Sequence, residues 1–293
     1  MEGKRFESDK GYAWILISAD DIDPTIFRVF GSLNRDFKEE ISQEEKDTEL
    51  KGLLVRLIKL ENCDGFNIKQ IKAIYLGEME LNVSHLTLLA LILIKYGWLE
   101  EIDLQHSAFG RIGCTKEGRD FLGVLSEHPT LKSFCAIDCY DCFDIADIFN
   151  LLKGHPTLET LELGWSMTAF RQKEIDALGN LLVFNRTLKT IDLACRETGE
   201  LEFSALETLD CDYLLEYLAF NKTVTRLSLP DGLNIDLTKV AKILEQNNGE
   251  HCSLLHSVTS PIIESGLYDL ESSSTSGVED PTDESPTKKL RNR

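Results

Sequence analysis

Apolar positions along this chain return in one short phrase, L-x-x-L-x-L, clearest at Leu158, Leu161 and Leu163. The phrase recurs at Leu131, Phe134 and Ala136, at Leu188, Ile191 and Leu193, and at Val224, Leu227 and Leu229. Two further copies lie upstream, at Ile71, Ile74 and Leu76 and at Leu99, Ile102 and Leu104. The first positions, 71, 99, 131, 158, 188 and 224, are 28, 32, 27, 30 and 36 residues apart. One copy fits part of a helix equally well, but six in step specify a repeated unit. Within each copy the alternation of apolar and polar positions is the period of a strand.

Helical spacing fills the intervals, over residues 86–94, 116–125, 143–152, 173–184, 206–220 and 237–246. Four of these end at His-Pro-Thr or Asn-x-Thr. A proline drives its preceding residue out of the α region, so His128 and His155 are expected to end their helices. Asn185 and Asn221 are expected to end theirs by adopting the left-handed conformation that asparagine tolerates.

One strand and one full helix per unit, built on L-x-x-L-x-L, resembles the long, ribonuclease-inhibitor-like kind of leucine-rich repeat. The resemblance covers about residues 68–250. It departs from the pattern at the Asn/Cys position eight residues after the first Leu, where Cys139 matches but Met79, Ser107, Ser166, Arg196 and Gly232 do not. The resemblance implies an α/β leucine-rich-repeat solenoid, a horseshoe or arc with a parallel sheet on its concave face and helices on its convex face. It also implies an extended recognition surface rather than a catalytic centre.

Residues 1–66 lack the phrase and read as a helical cap over the first repeat, which would otherwise expose its core. Tyr12–Ile17 suggests a short strand. Asp23 and Pro24 suit the start of a helix carrying Ile26, Phe27, Phe30 and Leu33, and a second helix is expected over Glu44–Leu60. Repeats and a C-terminal cap occupy 67–258. Residues 259–293 are polar, acidic and aperiodic until a short basic end, Lys288–Arg293, and read as a disordered tail.

A formal net charge of −19 opposes general binding of nucleic acid or anionic lipid, both of which need a basic footprint. The most apolar run, Leu86–Ile94, is shorter than the roughly 20 residues that cross a bilayer. The eight cysteines are scattered through helix and strand patterns, which suits reduced thiols in a cytoplasmic protein. Cys135, Cys139 and Cys142 form C-x3-C-x2-C, but the frame sends Cys135 to the sheet face and Cys139 to a turn. They do not converge as zinc requires, and no cofactor or metal is expected.

Polar positions of the strands form two rows. One reads Tyr75, Asp103, Cys135, Glu162, Asp192, Ser228; the other reads Ala73, Glu101, Ser133, Thr160, Thr190, Arg226. His106, Asp138, Trp165, Cys195 and Asp231 follow the strands. Tyr75, Glu101, Asp103, Glu162, Trp165, Asp192 and Arg226 are therefore the candidate partner-binding residues, an acidic face with an aromatic anchor suited to a basic protein. The expected function is non-enzymatic recognition by a monomer, as scaffold, adaptor or effector. The alternative is a GTPase activator of the leucine-rich-repeat type with Arg111, in Phe109–Gly113, as a loop arginine finger. No phosphate-binding, zinc-protease or serine-hydrolase motif supports another enzyme class.

The frame makes Leu161 core and Glu162 surface. Denaturant melts are expected to show a loss of about 2–5 kcal/mol for Leu161→Ala through lost burial and a cavity. Glu162→Ala is expected to stay within about 0.5 kcal/mol. The reverse order would put the frame out by one residue.

Overall fold

The six phrases become six neighbouring parallel strands. In a computed structural model of the chain, the described residues are 4–7, 13–19, 27–33, 42–62, 67–79, 81–105, 107, 115–137, 145–164, 171–194, 210–230 and 233–248. The acidic tail, 259–293, lies outside them. Among the described residues one nine-stranded sheet runs in chain order. Its strands are β1 (Lys4–Glu7), β2 (Ala13–Ala19), β3 (Phe27–Leu33), β4 (Ile71–Glu78), β5 (Glu101–Asp103), β6 (Ser133–Cys135), β7 (Thr160–Glu162), β8 (Thr190–Asp192) and β9 (Arg226–Ser228). The helices are α1 (Gln43–Ile58), α2 (Leu86–Lys95), α3 (Lys116–Ser126), α4 (Ile145–Leu152), α5 (Gln172–Phe184), α6 (Asp212–Phe220) and α7 (Leu237–Asn248). Each helix packs on the next, so the helical layer follows the order of the strands.

The sheet is mixed, not purely parallel as expected. β1, β2 and β3 pair antiparallel, and parallel pairing begins only between β3 and β4. The helix expected after Pro24 is instead β3 over residues 27–33. Phe27, Phe30 and Leu33 fit a helical period and Phe27, Val29 and Leu33 a strand period, but Phe27 and Val29 are buried while Arg28 and Phe30 are half-buried, which is strand alternation. Pairing on both sides, to β2 and β4, decides between the two. Gly31 permits a close approach there, because a Cβ at that position would collide with Met79 Sδ. Met79 itself is fully buried, so the residue standing at the Asn/Cys position of the first phrase acts as core.

Inward strand residues align across the sheet as Ile74, Ile102, Phe134, Leu161, Ile191 and Leu227, all buried. The leading residues Leu99, Leu131, Leu158, Leu188 and Val224 are fully buried beside them. α1 contributes Leu50, Leu53, Leu54 and Leu57 to the same core and packs on β2 and α2. Its start is fixed by a reciprocal cap, with Glu45 N donating to Ser42 Oγ and Ser42 N to Glu45 Oε2. α6 begins at Asp212 rather than Leu206; Asp210 and Cys211 precede it, and 206–209 lie outside the described residues.

α3 and α4 end before His128 and His155 as expected, but the turns after α5 and α6 work differently. Asn185 and Asn221 have φ −74° and −72°, so they are extended rather than left-handed. Their amides act instead as buried clamps. Asn185 Oδ1 accepts from Thr187 N at 2.9 Å and Leu188 N at 2.8 Å, while Nδ2 donates to Leu152 O at the end of α4, one unit back, at 3.0 Å. Asn221 repeats this, accepting from Thr223 N and Val224 N and donating to Leu182 O at 2.8 Å. His155 does the same with an imidazole: Nδ1 accepts from Leu158 N at 3.0 Å, and Nε2 meets Leu125 O at 3.1 Å. Those contacts require the Nε2–H tautomer. His128 Nε2 lies 3.2 Å from Tyr96 O, and Asn247 Nδ2 donates to Asn221 O and Val224 O at the far end. The clamps at His155, Asn185 and Asn221 each join a helix-end carbonyl to amides of the turn that carries them, whereas His128 Nδ1 and Asn247 Oδ1 have no partner among the described residues.

Burial is the main reason that His155 sits below the ordinary histidine pKa, and His128 adds to the effect. The folded chain holds a neutral ring, while the unfolded chain takes up a proton near pH 6.5. Stability is therefore complete above that pH and is lost as pH falls toward the depressed folded value. His155→Asn keeps both bonds by the geometry of Asn185 and removes the titration. The shift of the urea midpoint between pH 7 and pH 5 is expected to be smaller in His155→Asn than in the wild type. An unchanged shift would place the sensitivity elsewhere, for instance at buried His85, whose pKa burial also lowers.

Candidate functional site

The register puts the candidate residues into two straight rows on the sheet. Arg28, Ala73, Glu101, Ser133, Thr160, Thr190 and Arg226 are successive partners, and so are Phe30, Tyr75, Asp103, Cys135, Glu162, Asp192 and Ser228 on the line two residues further. Neighbours in a row stand about 4.8 Å apart, the spacing of paired strands. Glu101, Asp103, Glu162 and Asp192 are half-buried and Arg226 is exposed. Trp165 lies outside the described residues, as do His106, Arg111, Asp138, Cys139, Cys142, Cys195 and Asp231.

Two of the carboxylates hold the chain where it leaves the strand. Asp103 Oδ1 accepts from Gln105 N at 2.9 Å, and Asp192 Oδ1 accepts from Ala194 N at 3.0 Å. Such an Asp closes a turn through its own side chain, so its presence has a structural cause as well as an electrostatic one. Cys135 lies between Asp103 and Glu162 in the row yet is buried. Burial pushes its thiol up first, and the adjacent Asp103 carboxylate pushes it further. Among the described residues no group of three His, Cys, Asp or Glu side chains is arranged to hold a metal ion. No helix among them is long and apolar enough to cross a membrane.

The β3 end of the face has a different chemistry, which the sequence reading missed with the strand itself. Phe30 stacks on Tyr75 with centroids 5.1 Å apart and planes at 15°. Arg28 Nη1 donates to Tyr75 Oη at 3.2 Å, with the guanidinium 5.9 Å from the ring centroid. Burial, then the hydrogen bond to Glu101, raises the Tyr75 hydroxyl pKa, so the phenol stays protonated. Leu16 pairs with Phe30 and Trp14 with Ser32, both half-buried, and Arg5 lies 4.9 Å over the Trp14 ring. An aromatic and cationic end thus abuts an acidic row. The period of two in Phe27-Arg28-Val29-Phe30 was the signal that could have revealed it.

No family model matches the chain, and no curated protein matches it. Among solved structures, a tropomodulin C-terminal domain from Caenorhabditis elegans is similar at 10% sequence identity. The similarity covers 69% of this chain and 94% of that one, with a TM-score of 0.33.

A thiol held this far toward the protonated form is a poor nucleophile. Cys135 is expected to resist alkylation at pH 8 in the folded protein and to react readily in urea, as read by peptide mass mapping. Equal labelling in both states would mean that the row is open at Cys135.

Proposed function

We propose that this chain is a leucine-rich-repeat protein of the long, ribonuclease-inhibitor-like kind, a solenoid that recognises another protein on the concave face of its sheet. It acts without chemistry of its own, as a scaffold, adaptor or effector. The observation that carries this reading is the shared register of Tyr75, Asp103, Glu162 and Asp192. Side chains set one strand spacing apart act on a partner as a single field. Net charge −19 extends that field and favours a basic partner. Phe30 and Tyr75, stacked and backed by Arg28, supply the rigid aromatic anchor of a binding hot spot. Residues 1–66 serve as the cap of the first repeat, with α1 covering the core at that end.

The test is capture of partners by the wild type, followed by kinetics with the captured protein. Glu162→Lys combined with Asp192→Asn, which keeps the acceptor for Ala194 N, is expected to slow association by about tenfold or more at low salt. The difference is expected to shrink as the Debye length falls from about 10 Å at 0.1 M to about 3 Å at 1 M. Tyr75→Ala is expected to speed dissociation instead. Lys173→Glu on α5 is expected to change neither rate. Unchanged kinetics in all the sheet-face variants would overturn the reading.

A further inference from the structure

A second surface, chemically opposite to the first, runs along the edge where helices return the chain to the strands. Lys72 near the start of β4 and the residues just before the next five strands, Glu100, Lys132, Glu159, Lys189 and Thr225, are linked through their backbones from one unit to the next. Their side chains alternate in charge. Lys72 and Lys132 both bind Glu100, at 3.0 and 2.6 Å, and Lys189 binds Glu159 at 2.7 Å. The alternation stops at Lys189, because the next position is Thr225. There a groove of about 570 Å³ opens, lined by Lys132, Arg186, Lys189 and Lys222 against the single carboxylate of Glu159. Among the described residues Arg186 and Lys222 form no ion pair; they reach backbone carbonyls, Asn185 O at 3.4 Å and Ala219 O at 2.6 Å.

The same edge carries two exposed rings. Phe184 and Phe220 end α5 and α6 and are 61% and 72% exposed. Each stands two residues before a groove cation, Arg186 or Lys222, and both occupy the same place in consecutive units. Lys153 lies 5.9 Å over the Phe184 ring. Large apolar side chains left in water two residues from the cations of a groove mark an interaction surface.

We propose that this edge binds an acidic segment of a partner protein, its carboxylates in the groove and its apolar side chains over Phe184 and Phe220. A chain of net charge −19 repels any extended polyanion, whether nucleic acid or an anionic bilayer. A short peptide brings only a few charges and pairs them within a Debye length of Arg186 and Lys222, where local attraction wins. The adjoining rings favour a ligand with apolar side chains over a bare anion. This surface is distinct from the sheet face and does not depend on the reading given to that face.

The test measures fluorescence anisotropy of a labelled synthetic peptide that alternates Glu pairs with Leu and Phe, titrated with the full chain at low salt. Saturable binding is expected. Arg186→Glu with Lys222→Glu is expected to weaken it by at least about tenfold, and Phe184→Ser with Phe220→Ser by a similar factor. These sites are exposed, and an unchanged circular-dichroism melt verifies that each variant is folded. Lys116→Glu on α3 is expected to leave affinity unchanged. Glu162→Lys is also expected to leave it unchanged, which separates this surface from the sheet face. No saturable binding of the peptide, or equal affinity in the charge-reversed variant, would overturn the proposal. So would tighter binding of an oligothymidine or of phosphatidylserine vesicles than of the peptide.

Discussion

Everything in this fold depends on closing the helix ends inside the molecule. The last carbonyls of a helix have no partner within it, and a buried carbonyl left unpaired costs about 1–3 kcal/mol. Here His155, Asn185 and Asn221 each give a hydrogen to a carbonyl of the helix one unit back, in α3, α4 and α5, and take hydrogens from the turn that follows them. The threonine two residues on adds a third link, from Thr157 Oγ1 to Leu131 O and from Thr187 Oγ1 to His155 O. Each unit is thereby fixed against its neighbour in height as well as in distance. An imidazole and a carboxamide are interchangeable here because both carry one acceptor and one donor across a similar span.

Fixed height is what gives the two surfaces their definition. Lys132 O and Glu159 O each accept two amides from the next unit, so the strands start level. At the other end Leu163 N donates to Asp192 O and Leu193 N to Ser228 O. With both ends pinned, side chains two residues apart in one strand belong to different rows, and every row runs straight. The row beginning at Phe30 and Tyr75 becomes an acidic face with an aromatic end. The row at Lys72 and Glu100 becomes a charge ladder that opens into a basic groove.

The ladder also shows why the groove lies where it does. Glu100, flanked by Lys72 and Lys132, is held below the usual carboxylate range, chiefly by its hydrogen bond to Lys132. Lys132 is raised in turn by the same bond. Glu159 is held by Lys189 at 2.7 Å. The groove lining holds four cations to the one carboxylate of Glu159, because the alternation fails at Thr225 and the turns add Arg186 and Lys222.

The sequence by itself determined the repeated unit and its phase. Six copies of one apolar phrase in step leave no freedom in which residue of each strand faces the core, since a slip of one residue would expose Leu161 and bury Glu162. The order of the rows, from Tyr75 to Ser228, followed from that phase alone. Only the tertiary structure decided what happens where local patterns are degenerate. Residues 27–33 satisfy both a helical and a strand period, and the hydrogen bonds offered by β2 and β4 select the strand. That choice brought Arg28 and Phe30 onto Tyr75. Asn185 and Asn221 satisfy both a left-handed stop and an extended clamp, and the buried carbonyls of Leu152 and Leu182, contributed by other units, select the clamp. The groove between Lys132 and Lys222 was equally invisible along the chain, because its cations lie up to 90 residues apart and meet only through the stacking of units. Local periodicity records which face of an element is buried; it carries no record of which distant group will satisfy a polar atom there.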